Sequence, residues 1–117
     1  MNTGTNRWDW PDDLDALTAA PGNHQLLHEN ERVRVLLTTI PIGCATPVHT
    51  HRWSSVEYLL STTNFIRFDA YGKVLFDSRV GDACPQVSDV LWSNPFPPHS
   101  LLNVGDAELR VIMVEIK

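Results

Sequence analysis

Three clusters of side chains in this sequence carry the chemistry of a site. The first is His49-Thr50-His51. Alternate residues of a β-strand share a face, so on a strand both imidazoles enter the same space. Neutral imidazole is a ligand for zinc, iron, copper, nickel and, less readily, manganese. The second cluster is Pro97-Pro98-His99, followed by Asn103. The proline pair stiffens the approach to a strand and fixes where His99 points. His99 could complete a three-histidine set that leaves coordination positions open for water or substrate. The third cluster is Ser55-Val56-Glu57. Counting by twos from His51 passes through Trp53, Ser55 and Glu57, which share one face if the strand is regular. Glu57 is then an inward carboxylate, costly to bury unless it is paired, hydrogen-bonded or metal-bound. Arg67 and Arg34 are candidate ion partners for it. The other readings are a metal ligand and a catalytic proton carrier.

These residues need elements to hold them. Asp12 and Asp13 lead into Leu14–Ala20, a short helix with Asp9 or Asp12 as its cap, acidic residues in its first turn and Pro21-Gly22 as its stop. The Asp12-Asp13-Asp15 cluster is most simply that acidic first turn. Leu14 and Leu17 share a face. From Gln25 onward the pattern is that of strands: Val33–Ile40, Val56–Leu60, Phe65–Phe68, Val74–Phe76, Val90–Trp92, Ser100–Val104 and Leu109–Ile116. Tyr71-Gly72-Lys73 reads as a turn, and Gly105-Asp106 as a hairpin turn between the last two strands. The turn-rich stretch from Gly81 to Ser88 is the least regular. Short strands at even spacing with almost no helix indicate an all-β sandwich or barrel. The expected organisation is an N-terminal arm over residues 1–24 and one β-barrel domain over 25–117. Trp8 and Trp10 must pack on that domain or on a second subunit.

The chain has 117 residues and a formal net charge of -5. That length suits one domain with a core of its own. The acidic balance and the lack of a basic cluster argue against nucleic acid or an anionic membrane surface as partner. The first ten residues do not read as a secretory leader, and no run is apolar enough to span a bilayer. A cytoplasmic location is therefore expected, with Cys44 and Cys84 as reduced thiols.

In order and spacing these residues resemble the cupin family. Its first motif runs Gly, five residues, His-x-His, three or four residues, Glu, six residues, Gly. Gly43, His49 and His51 match it. The motif's Glu falls on Ser55 and its closing Gly on Thr62. The second motif runs Gly, five residues, Pro-x-Gly, two residues, His, three residues, Asn. His99 and Asn103 match it, whereas Ser88, Asn94 and Phe96 stand where the motif has Gly, Pro and Gly. The resemblance covers roughly Gln25 to the C-terminus. It implies a jelly-roll barrel (a double-stranded β-helix), often dimeric, with a divalent metal held by three histidines and one carboxylate.

The expected function is then a small metal-dependent cupin acting on a small organic molecule. His49, His51 and His99 are the ligands, and Glu57 is the catalytic group or fourth ligand. Iron, manganese, nickel and zinc all suit such a site, and the chemistry would be of oxygenase, isomerase or lyase type. The alternative is a metal-free barrel that binds an apolar metabolite without catalysis, its histidines being hydrogen-bonded wall residues. Trp53, Ser55, Tyr58, Phe96 and Asn103 are expected to shape the pocket, with Trp53 and Phe96 narrowing its mouth. His24 and His28 lie outside both motifs and read as surface or edge-strand residues. A homodimer with a small-molecule ligand is the expected assembly.

Overall fold

The fold follows from alternation. In Val33–Ile40 every second residue from Arg34 is buried, namely Arg34, Leu36, Thr38 and Ile40. In Leu109–Ile116 the inward set is Leu109, Val111, Met113 and Glu115, with Leu109, Met113 and Glu115 fully buried. The two strands pair antiparallel so that Arg34 faces Glu115, Leu36 faces Met113 and Ile40 faces Leu109. A period of two with one buried face is what a half-covered antiparallel sheet requires.

The computed structural model describes residues 7–81 and 84–117. The first six residues of the expected arm, and Asp82-Ala83 within the turn-rich stretch, lie outside the described residues. A 3-10 turn, Asp12–Leu14, leads into a single helical turn α1 (Ala16–Ala19). Among the described residues nine strands follow: β1 (His24–Glu29), β2 (Val33–Ile40), β3 (His49–His51), β4 (Ser54–Ser61), β5 (Phe65–Asp69), β6 (Val74–Asp77), β7 (Val90–Ser93), β8 (Phe96–Asn103) and β9 (Leu109–Ile116). They form two antiparallel sheets with strand orders β1-β2-β9-β4-β7 and β3-β8-β5-β6. The inner faces of the two sheets enclose the core, with Ile40, Phe65 and Leu109 at one end and Leu36, Met113 and Ala16 at the other.

Several expectations need correction. The chain between His51 and Ser54 is not one regular strand. It breaks at Arg52-Trp53, where β3 in one sheet gives way to β4 in the other. Gly105-Asp106 does not close a hairpin, because β8 and β9 belong to different sheets. Gly105 is still required there. A Cβ on it would lie 1.8 Å from Thr63 Oγ1 and 2.8 Å from the Asn64 nitrogen. The cap of α1 is Asp15, whose carboxylate accepts from Leu17 N at 3.1 Å, rather than Asp9 or Asp12. Strand β1 begins at His24.

Candidate functional site

The two histidines of His49-Thr50-His51 are placed by β3. Strand β3 pairs with β8 so that His49 stands directly opposite His99, and a bulge then sets His51 against Phe96. Cross-strand neighbours on one face are within side-chain reach. The His49 and His99 rings accordingly lie 4.4 Å apart between centroids, the His49 and His51 rings 5.1 Å, and the His51 and His99 rings 5.8 Å. The expected three histidines thus converge between the sheets, each no more than 3% exposed.

A fourth imidazole joins them. His24, read above as a surface or edge residue, is 5% exposed and stands 4.7 Å from His49 and 5.2 Å from His51. It opens β1 opposite Thr38 and is the one buried residue of that strand. With the other five positions of β1 exposed, alternation gave no sign of it. His28 is exposed, as expected. Ligand nitrogens of His24, His49 and His51 all lie within 4.8 Å of one another.

The direction of these rings follows from their hydrogen bonds. Nδ1 of His49 donates to the Pro47 carbonyl and Nδ1 of His99 to the Pro97 carbonyl, both at 2.8 Å. His24 Nδ1 donates to the Ala20 carbonyl at 3.0 Å, and His51 Nδ1 to Glu115 Oε2 at 2.8 Å. Burial holds all four imidazoles below their ordinary range, aided by mutual repulsion at His24, His51 and His99. His24 and His51 fall to about 3 and His99 to about 2. A neutral imidazole carries one N–H, and here a neighbouring acceptor fixes it on Nδ1. Each Nε2 therefore keeps a bare lone pair. That of His24 is buried with no hydrogen-bond partner. Tying the far nitrogen of a ring to an acceptor is how metal-binding proteins orient their histidines.

Behind the rings runs a buried chain of charges. Glu115, fully buried, accepts from His51 through Oε2 and from Arg34 Nε through Oε1 at 2.5 Å. Arg34 also donates through both terminal nitrogens to Asp15, each at 2.9 Å. Burial raises the Glu115 carboxyl, and Arg34 draws it only part of the way back. Burial also pushes the Asp15 carboxyl up, but the bonds and charge of Arg34 outweigh that and hold it below its usual value. Sequence reasoning missed Glu115. Its signal was there: counting by twos along Leu109–Ile116 puts it on the inward face.

The remaining candidates divide. Ser55 is buried and donates to Glu57 Oε2 at 3.0 Å. Glu57 lines the histidine cavity with Arg67, Phe96, Leu101 and Met113. Its expected partner Arg34 is taken by Asp15 and Glu115. Trp53 lies in the strand break instead, with Arg34 and Lys117 over its ring at 5.0 and 5.4 Å, and lines outer grooves with Trp8. Tyr58 points outward, 41% exposed, its hydroxyl donating to Ser88 Oγ at 3.3 Å. Asn103 is buried but structural: its amide donates to the Ile40 and Ala107 carbonyls, and its oxygen accepts from Gly105 N.

The inner cavity has a volume of ≈ 60 Å³, room for an ion and small ligands. A second cavity of ≈ 320 Å³ adjoins it, lined by Phe65, Phe76, Leu91 and Trp92 among others. The three clustered imidazoles, His24, His49 and His51, suit zinc, iron, nickel or copper and are poor ligands for magnesium or calcium, while His99 stands beside His49 outside that cluster. Such a donor set with an orphaned ring nitrogen fits a divalent transition metal.

No protein-family model and no curated protein matches the chain by sequence. Solved structures do match its architecture. A cupin domain from Bordetella pertussis Tohama I superposes with a TM-score of 0.65 at 22% identity, covering 80% of this chain and 91% of that one. An RmlC-like cupin family protein from Methanocaldococcus jannaschii gives 0.57 at 11% identity, over 80% and 77%. A polyketide cyclase from Streptomyces resistomycificus gives 0.57 at 14% identity, over 94% and 78%. The two-sheet architecture that positions the histidines is therefore a double-stranded β-helix, the fold of these solved cupin structures.

Proposed function

We propose that this protein is a metal-dependent cupin acting on a small organic molecule, with a divalent ion held among His24, His49, His51 and His99. The observation that carries this reading is the set of bare Nε2 lone pairs, each fixed by a partner on Nδ1. An orphaned buried acceptor costs roughly 1–3 kcal/mol, which a bound cation would offset at His24. Ser55 stands at the motif's carboxylate position, and His24 supplies the donor that Ser55 lacks. An all-imidazole set favours zinc, iron or nickel over manganese. When bound, the ion supplies Lewis acidity and open coordination positions, which serve oxygenase-, isomerase- or lyase-type chemistry. The chain's own residues do the rest. Glu57, held by Ser55 Oγ, receives or returns a proton at its carboxylate. Leu101, Leu109, Val111 and Met113 wall the cavity and limit water there.

Metal analysis of untagged protein purified without chelator, with cobalt(II) titration of His24→Ala and His49→Ala, tests this. About one equivalent is expected, with affinity lowered at least about tenfold in either variant. Metal below about a tenth of an equivalent, unchanged by the substitutions, would sink it. The second reading is a metal-free barrel for an apolar metabolite, and Ser55 in place of a carboxylate favours it. It requires ligand-induced thermal stabilisation that chelator leaves intact.

A further inference from the structure

The inner and outer cavities meet at five common residues: Glu57, Arg67, Leu101, Leu109 and Val111. Three are aliphatic wall and two are charged. Arg67 sits in the middle of β5, between β6 and β8, opposite Leu101 in the ladder. Its guanidinium lies 4.9 Å from the centre of the Phe96 ring and 5.8 Å from that of Phe76. Its Nε is buried with no hydrogen-bond partner. Arg34, which is buried, is consumed by Asp15 and Glu115. Glu57 does not do the same for Arg67. Its Oε2 is taken by Ser55, and its charge reaches Arg67 only through space. A guanidinium packed on aromatic faces with an unmet N–H is built to receive a planar anion in two parallel hydrogen bonds.

We propose that Arg67 is the carboxylate-receiving group of a ligand subsite and that the ligand is a small monocarboxylic acid with an aryl or branched alkyl body. The inner cavity, at ≈ 60 Å³, cannot take such a body, whereas the outer one, at ≈ 320 Å³, has the size of a small-ligand pocket. The body therefore lies against Phe76, Leu91 and Trp92, and the carboxylate stands at the junction on Arg67, facing the histidine chamber. Charge agrees with this. Four neutral imidazoles leave a divalent ion its full charge, so the chamber favours an anion. The subsite deepens the proposed function, resting on that reading for what becomes of the acid but not for its binding.

Calorimetric titration of the full chain, stripped of metal with chelator, tests it with phenylacetate, 4-methylpentanoate and their primary amides. The acids are expected to bind at least about tenfold tighter than the amides. In Arg67→Met the acids fall to the amide level, while cobalt(II) titration of that variant is unchanged. Equal binding of acid and amide by the wild type overturns the assignment. So does no acid binding up to about 10 mM, acid binding only with metal restored, or an acid preference that survives in Arg67→Met. If that variant does not fold, the wild-type acid–amide comparison still decides. Acid preference without any metal binding would sink the metal reading and leave the subsite; metal binding without acid preference would do the reverse.

Discussion

A buried neutral histidine has one N–H to place, and in this chain its placement decides what the other nitrogen can do. Pro47-Val48-His49 and Pro97-Pro98-His99 solve the problem identically, each ring donating to the carbonyl two residues back. His51 uses a carboxylate instead, which makes Glu115 the residue through which its orientation can be tested. Glu115→Gln removes the charge that holds both the His51 N–H and Arg34. Metal affinity should fall by about 10–100-fold, with stability lower by roughly 1–3 kcal/mol. Cobalt titration and urea unfolding measure the two, and unchanged metal affinity would show that Glu115 does not orient His51. At this scale much was legible. Gly43, with φ +73, and His49, His51 and His99 stand where the motif spacing puts them. Ser88, a departure from the second motif, has φ +70, the left-handed backbone that favours the motif's glycine. His24 was illegible because its neighbours in β1 are exposed.

Among the elements, α1 does more than cover the barrel. Asp15 caps it and grips Arg34, Ala16 is buried against the core, and the Ala20 carbonyl fixes His24. A single helical turn has little stability of its own, so these tertiary bonds hold it in place. Asp15→Asn keeps the cap but loses the charge facing Arg34. We expect a stability loss of about 1–3 kcal/mol by chemical denaturation, since Arg34 remains paired with Glu115. A variant as stable as the wild type would show that the arm is not anchored through Asp15. The limits of β2 and β9 could be read from their aliphatic and β-branched runs and from the turn residues beside them, Pro41-Ile42-Gly43 and Gly105-Asp106. The break at Arg52-Trp53 could not, because no Gly or Pro marks it and only the second sheet reveals the crossing. That break sends Trp53 outside, yet Ser55 and Glu57 return to the interior.

For the molecule as a whole, burying several imidazoles together makes folding depend on pH. With folded values of about 3 for His24 and His51 and about 2 for His99, these rings stay neutral where the unfolded chain would protonate them near 6.5. Above that pH both states are neutral and the rings contribute no slope. Below it the unfolded state binds more protons, so stability falls as pH falls from about 6.5 towards about 3. Melting of the metal-free protein should be flat from about pH 8 to 7 and drop steadily below about 6. A melting temperature constant down to about pH 4.5 would contradict the burial of neutral rings. The double-stranded β-helix itself was foreseeable from strand spacing and the motif residues. The division of strands between sheets was not, because consecutive strands such as β8 and β9 part company.

Strand β1 is the outermost member of its sheet, joined to the rest along one side only, by β2. Peripheral strands open more readily than central ones. Strand β3, with His49 and His51, is likewise the outermost member of the other sheet, so three of the four rings stand on sheet margins. Were an ion held as proposed, its exchange would follow the opening of these two borders, with His99 on the inner strand β8 the last to part.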